Sequence, residues 1–237
     1  WNNCRPVIIV DGTFLKATYG GTLITACTQD AAGHILPLAF GVVDSENNNA
    51  YHWFFTNLKA TLSERNGLCI VTDRHPSILN AVTKVYPEAA HCCCAYHLSK
   101  NITTKYKENL DTVKGAFFAA AYCYTNEEFV HHMEVIKKAN YRVVEYLTEI
   151  GFEKWSRIHC KANRFLVMTS NAAESINSSM KVARELPITV LLETIRGMQQ
   201  NWNVKNRKEA QSTFTKLAKL GQKILEENYK ASMKFTV

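Results

Sequence analysis

Pro6-Val7-Ile8-Ile9-Val10-Asp11-Gly12 is the stretch that decides the fold. Its run of β-branched residues is typical of a strand that is buried on both faces in the centre of a sheet. A similar run, Leu68-Cys69-Ile70-Val71, is followed by Thr72 and Asp73. Both runs therefore predict a carboxylate directly after a buried strand, at the edge of the sheet where open α/β folds place their ligand sites.

The segments around these two runs predict the rest of the sheet and its first helices. Strands are expected over 22–28, 35–43 and 89–94, and helices over 50–65 and 76–87. Asn49 is expected to cap the first of these helices and Gly67 to end it. Three strands followed by alternating helix and strand indicate an α/β fold, with a mixed five-stranded sheet flanked by helices.

The strand pattern disappears between about Leu98 and Lys161. Thr125 to Glu128 has the spacing of a helix capping box, and an apolar stripe of Phe129, Met133 and Ile136 follows it. We interpret residues 98–163 as an all-helical insertion within a discontinuous core, which is formed by residues 1–97 and 164–205. Residues 206–237 are interpreted as a basic helical tail.

The composition narrows the classes of protein to which this chain can belong. With 46% hydrophobic and 21% charged residues, the chain is expected to fold around one large core. Its net charge of +7 suits a polyanionic partner, although a basic tail is also typical of a solvated helix face. No apolar run approaches the roughly 20 residues that span a bilayer, so no membrane partner is expected.

The start of the sequence and its cysteines predict the kind of parent protein and the redox compartment. It begins at Trp1 without an initiator Met or a secretory signal, so we expect a segment of a longer protein. Eight cysteines, three of them consecutive at 92–94, then favour a reducing compartment over a disulfide scaffold.

Asp11 and Asp73 are the first candidate metal ligands. Two adjacent strands that each end in an aspartate would bring both carboxylates within reach of one cation. Either residue alone, however, is more typical of a turn or a helix cap. Asp44, which follows the third predicted strand, is a competing candidate.

Glu174 is a third candidate, on a helix expected from Asn171 to about Glu185. The spacing from Asn171 to Glu174 matches a capping box, in which the carboxylate would only accept the backbone N–H of Asn171. In the same helix, Glu174 belongs to a polar stripe opposite the apolar residues Ile176, Met180 and Ala183. The pattern leaves both roles open.

The segment from His91 to His97 contains a Cys94-x-x-His97 pair, which is half of a tetrahedral zinc site. His131-His132 or His159-Cys160 would have to complete such a site, and we do not expect a structural zinc ion. The alternative is that the cysteines fill a buried strand and His97 caps a helix.

Several blocks of this sequence resemble the Mutator-like element transposase family of plants. They occur in the order of the family between about Ile8 and Trp202, and they are Val10 to Phe14, Val71 to Arg74, Cys94 to Leu98, Trp155-Ser156, Ser170 to Asn177 and Ala183 to Ile188. The sequence departs from the family at Cys92-Cys93, where an Arg and an aromatic residue are more usual.

The resemblance implies a ribonuclease H-like fold with an acidic triad at Asp11, Asp73 and Glu174, and a helical insertion before the last acid. It also implies that His97 contacts the scissile phosphate or the leaving strand, and that Cys94 orients the turn. Carboxylates suit Mg²⁺, with Mn²⁺ as a substitute, and two ions roughly 3.5–4 Å apart can activate an attacking oxygen and stabilise a leaving one.

The implied function is that of a DDE-type DNA transposase. It would cut DNA at transposon ends and join the freed 3′-hydroxyl to target DNA, as a homo-oligomer in the nucleus. A domesticated, transposase-derived transcription regulator would keep the fold and bind DNA without cutting it. A cellular ribonuclease H-like nuclease would keep the carboxylates and lack the helical insertion. An end-recognition domain and a zinc knuckle are expected outside this segment.

Overall fold

A mixed five-stranded sheet lies at the centre of the computed structural model, which describes residues 1–18 and 20–235. The strands are β1 (Val7–Phe14), β2 (Thr22–Gln29), β3 (Ile35–Val43), β4 (Cys69–Thr72) and β5 (Ala90–Cys93). Their order is β3-β2-β1-β4-β5. The pairs β1–β2 and β2–β3 are antiparallel, whereas β4 and β5 run parallel to β1. The sheet confirms the predicted α/β fold with a mixed five-stranded sheet flanked by helices.

Both faces of the sheet are covered, which explains the uninterrupted apolar run of β1. Alternate residues of a strand point to opposite faces. Ile8 and Val10 pack against α1 (Asn48–Thr61) and α2 (Pro76–Val85). Val7 and Ile9 pack against α8 (Asn171–Ser179) and α9 (Ile188–Gln211).

Residues 95–155 fold into consecutive helices beside the sheet. These are α3 (Ala95–Lys105), α4 (Leu110–Tyr122), α5 (Asn126–Ala139), α6 (Tyr141–Ile150) and α7 (Phe152–Trp155). They share a core around Phe117, Phe129 and Trp155. The predicted capping box is confirmed, because Thr125 Oγ1 accepts from Glu128 N at 3.2 Å and Glu128 Oε2 accepts from Thr125 N at 3.2 Å. The assignment of residues 98–163 as an insertion remains a prediction.

The boundaries of two helices, α1 and α8, differ from the predictions. Helix α1 ends at Thr61 rather than at Gly67, and its N-cap is Asn47, whose side chain accepts from Ala50 N at 2.9 Å, rather than Asn49. Helix α8 ends at Ser179 rather than near Glu185, where a 3-10 helix (Ala183–Glu185) lies instead.

Contacts with the end of β1 explain the early end of α8. Lys16 N donates to Arg184 O at 2.9 Å, and the Arg184 guanidinium donates to Phe14 O at 3.0 Å. The segment after α8 is thus held by tertiary contacts with another strand, which override its helical pattern.

The C-terminal part is helical. Helix α9 runs without interruption across the boundary predicted after residue 205, and α10 (Lys219–Ser232) follows. None of the described α10 residues is buried. Within the described residues, no helix combines the length and apolar character needed to cross a membrane.

Candidate active site

Asp11 lies inside β1 and not, as predicted, after its end. The strand extends to Phe14 because β2 pairs with it over this whole stretch, with Thr25 opposite Asp11. On its other side, β1 pairs with β4 in the register Val7–Cys69 to Ile9–Val71. Continuing that parallel register brings Asp11 beside Asp73, on strands about 4.8 Å apart.

Asp73 is the first residue beyond β4, in the turn before α2. Its Oδ1 accepts a hydrogen bond from His75 N at 3.1 Å. The carboxylate is half-buried. Asp73 therefore combines the turn role of an ordinary strand-end aspartate with a position next to Asp11.

Helix α8 brings Glu174 to the same region through a buried side chain that the sequence analysis did not single out. Asn177, which is 4% exposed, donates from Nδ2 to Asp11 Oδ2 at 2.8 Å. Its Oδ1 accepts from Thr25 Oγ1 at 2.7 Å, which fixes the orientation of the amide. Because Glu174 precedes Asn177 by three residues, both side chains lie on one side of α8. The signal that could have identified Asn177 is this spacing.

The capping-box interpretation of Glu174 is wrong. The N-cap of α8 is Ser170 rather than Asn171. Glu174 Oε1 accepts from the Ser170 hydroxyl at 2.7 Å instead of from a backbone N–H at the cap. The carboxylate is half-buried and faces the sheet region rather than closing its own helix end.

Cys94 and His97 lie against the start of α8. Cys94 directly precedes α3, and its Sγ accepts from Ser170 N at 3.3 Å. His97 is in the first turn of α3, and its Nδ1 lies 3.4 Å from Ser170 Oγ. The potential ligand atoms of Cys94, His97 and Glu174 are all within 4.8 Å of one another. His97 is thus part of this cluster and is not a helix cap.

Within the described residues, neither His131-His132 nor His159-Cys160 joins this cluster as the second half of a zinc site. Cys160 lies instead with Cys69 and Cys92, and His159 Nδ1 is 3.0 Å from Ser156 Oγ. Cys92 and Cys93 are buried in β5, as the alternative interpretation predicts.

The surroundings of Asp11 and of His97 shift the pKa values of both side chains. Burial is the main cause that raises the pKa of Asp11 to about 7, and the negative charges of Glu174 and Asp73 add to it, while the Asn177 hydrogen bond and His97 oppose it. The Cys94 hydrogen bond and the nearby negative charges raise the pKa of His97 to about 9. At neutral pH the site therefore holds an imidazolium among carboxylates.

Cys94 stabilises the positive charge of the His97 imidazolium. Burial raises the pKa of its thiol, but hydrogen bonds from His97 and Ser170 outweigh burial, so that the net shift is downward. The hydrogen bond between the Cys94 thiol and the His97 imidazole thus favours the charged form of each group.

One further acidic residue, Glu46, lies against β1 next to Asp11. Glu46 accepts from the Tyr51 hydroxyl at 2.9 Å and lies so close to Gly12 that a Cβ there would be 2.1 Å from Glu46 Oε1. A glycine directly after Asp11 is the sequence signal for this approach. The competing candidate Asp44 is exposed at the end of the edge strand β3, where its Oδ1 accepts from Ser45 N at 2.8 Å.

Comparison with known proteins adds family information. Residues 7–101 match the family model of the MULE transposase domain. No curated protein matches the chain. Among solved structures, it is similar to a chain of a simian T-cell lymphotropic virus intasome, solved by cryoEM in complex with PP2A regulatory subunit B56 gamma. The identity is 14%, over 56% of this chain and 49% of the other, and the TM-score is 0.30.

The similarity to the intasome chain spans only about half of that chain, and a TM-score of 0.30 does not establish a common fold. The family match carries more weight, since it covers all five strands and the start of α3. It includes Asp11, Asp73, Cys94 and His97, whereas Glu174 lies beyond it. Over residues 7–101, the chain is thus similar to the MULE transposase domain.

Proposed function

We propose that this chain carries the catalytic centre of a DDE-type DNA transposase, with Asp11, Asp73 and Glu174 as its acidic triad. The observation that carries the proposal is the hydrogen bond from Asn177 Nδ2 to Asp11 Oδ2 at 2.8 Å. It holds the helix that bears Glu174 against the strand that bears Asp11, across 166 positions of sequence. The negative charges of Glu174 and Asp73 both act on Asp11, which supports a common role for the three acids.

The donor set fits divalent cations such as Mg²⁺. All three side chains are carboxylates, the hard oxygen ligands that Mg²⁺ prefers. Burial and the charges of Glu174 and Asp73 raise the pKa of Asp11, so a bound cation would relieve repulsion that the chain itself creates. When bound, two ions would activate the attacking oxygen and stabilise the leaving oxygen, and Mn²⁺ would substitute.

The other residues of the site orient these groups. Asn177 aligns Asp11, and the Ser170 hydroxyl holds Glu174 Oε1. His97 carries a positive charge at neutral pH because of Cys94 and the carboxylates, which suits contact with a DNA phosphate. Cys94 keeps the proton on His97 and is a positioning residue.

The proposed partner is DNA, as the resemblance to the transposase family implies. The substrates would be transposon ends and target DNA, bound by a homo-oligomer in the nucleus. The segment from Asn203 onward carries eight Lys and Arg residues against three Glu residues, and Lys208, Lys219, Lys230 and Lys234 are exposed there. Such a surface would contact DNA phosphates without base specificity.

Replacement of Asp73 by Asn tests the proposal. It keeps the size and most hydrogen bonding of the side chain but removes the charge that would hold cations. On DNA that bears its own element ends, with Mg²⁺ or Mn²⁺, the variant should lose strand cleavage while DNA affinity persists or rises. Asp44→Asn is the matched control, because Asp44 is an exposed strand-end aspartate, and it should cleave normally.

The outcome also separates an enzyme from a regulator. If the unmodified protein binds its element ends tightly and never cuts them with either ion, it is a domesticated DNA-binding regulator. Cleavage that survives Asp73→Asn would show that the triad is assigned wrongly.

A further inference from the structure

Three cysteines from separate segments meet outside the candidate active site. Cys69 begins β4, Cys92 lies in β5, and Cys160 is in the segment between α7 and α8. Cys92 Sγ is 3.5 Å from Cys69 Sγ and 3.3 Å from Cys160 Sγ. All three sulfurs lie within 4.8 Å of one another, and all three residues are free thiols.

The spacing of the sulfurs is close to that of metal ligands. With Zn–S bonds of about 2.3 Å and tetrahedral angles, two sulfur ligands of one zinc ion are about 3.8 Å apart. The sulfur–sulfur distances from Cys92, which are 3.5 Å to Cys69 and 3.3 Å to Cys160, are a few tenths of an ångström shorter. The triangle would have to open by only those few tenths of an ångström to reach the size of a zinc site.

The buried Arg164 supplies the charge that a metal–thiolate site requires. Arg164 is 2% exposed, and its guanidinium donates to the carbonyl oxygens of Cys93, Trp155, Val167 and Met168. No carboxylate in the described part of the chain forms a salt bridge with it. A buried charge without a counterion is costly.

The anionic partner of Arg164 is therefore expected among the thiols. The positive charge of the Arg164 guanidinium favours the thiolate form of each of the three cysteines. Three thiolates around a divalent ion would carry one net negative charge, which the guanidinium would neutralise.

We propose that Cys69, Cys92 and Cys160 bind a soft, thiophilic metal ion, of which zinc(II) and copper(I) are the cellular examples. Binding forms three metal–sulfur bonds, breaks the S–H bond of each ligand that is still protonated and releases those protons to solvent. Cys160 is half-buried, so its side of the cluster gives the ion access and leaves room for water as a fourth ligand of zinc. Copper(I) needs no fourth ligand.

The site would connect the sheet to the segment that leads into α8. That segment contains Arg164, Met168 and Ser170, and Met168 O accepts from Ala95 N at 2.8 Å. A metal ion that joins β4 and β5 to Cys160 would thus hold the start of the helix that bears Glu174. It is a structural site, separate from the carboxylate site for Mg²⁺.

Metal titration of the reduced, metal-stripped full chain tests this proposal. We expect about one equivalent of zinc(II) per chain in competition with a chromophoric chelator, and an increase in the thermal midpoint on binding. A parallel anaerobic titration with copper(I) shows which ion binds more tightly. Cys160→Ser should remove the bound equivalent, whereas Cys123→Ser, at a buried free cysteine in the helical region, should keep it.

Cys94→Ser separates this site from the cluster of Cys94, His97 and Glu174. Loss of the equivalent in Cys94→Ser with retention in Cys160→Ser would overturn the proposal. So would the absence of stoichiometric binding in both titrations, including the case in which mild oxidation then joins Cys92 to Cys160 as a disulfide.

A measurement on the unmodified chain covers the case in which Cys160→Ser does not fold. Bound metal should slow alkylation of Cys160 by iodoacetamide, read by peptide mass spectrometry, and should leave alkylation of the half-buried Cys4 unchanged. Equal alkylation of Cys160 with and without metal would refute metal binding there.

Discussion

Replacing Asp11 by Asn tests the electrostatics of the candidate site directly. Asp11 is half-buried, and burial together with Glu174 and Asp73 raises the pKa of its carboxyl from 3.8 to about 7. Asn keeps the hydrogen bond, because its side-chain oxygen still accepts from Asn177 Nδ2, but it cannot ionise. The variant therefore isolates the cost of the charge.

The direction in which stability changes with pH follows from proton linkage. A carboxyl with a higher pKa in the folded state binds its proton more tightly there, so the folded protein loses stability as pH rises from about 4 to about 7. A shift of about three pKa units corresponds to at most about 4 kcal/mol. Without metal, the unmodified protein should match Asp11→Asn near pH 4 and should be less stable than the variant by up to that amount above pH 7.

Urea unfolding in EDTA across pH 4 to 8 measures this difference, with Asp44→Asn as the control that should follow the unmodified protein. Mg²⁺ should narrow the difference, since an ion adds about 2.7 kcal/mol to the folded state that holds it at 100 times its dissociation constant, and should close it at 1,000 times, where the gain is about 4.1 kcal/mol. If the difference between the unmodified protein and Asp11→Asn stays constant across this pH range, or if the variant is less stable above pH 7, the reasoning fails.

Three further variants test other parts of the site. Asn177→Ala should lower the free energy of unfolding by about 1–3 kcal/mol and abolish DNA cleavage, because two buried polar partners lose their hydrogen bonds; unchanged cleavage would contradict the positioning role. His97→Ala should reduce cleavage with little change in thermal stability, and its residual activity should lack the decline that the unmodified protein shows as pH rises through about 9; a variant that unfolds would point to a structural role. Gly12→Ala should displace Glu46 and lower the thermal midpoint, whereas Gly115→Ala, with open space around it in α4, should leave it unchanged or raise it by the equivalent of about 0.5–1 kcal/mol. Equal midpoints for the two glycine variants would contradict the close approach of Glu46.

The sequence by itself determined the elements of the fold. The β-branched run of β1, the turn residues and the capping box at Thr125 each act through near neighbours, so their patterns can be read locally. The pair of aspartates at Asp11 and Asp73 was also accessible, because adjacent parallel strands carry equivalent positions to one edge of the sheet. Family resemblance then added Glu174, whose own pattern left two roles open.

Only the tertiary structure decided how distant residues meet. Asn177 reaches Asp11, and Cys160 reaches Cys92, across 166 and 68 positions respectively. Contacts with β1 also ended α8 before its helical pattern did. Local sequence patterns encode the period and the ends of a helix or strand. Which buried face packs against which other face depends on the packing of whole layers of the fold. The hydrogen bond between Asn177 and Asp11 and the cluster of Cys69, Cys92 and Cys160 both result from that packing.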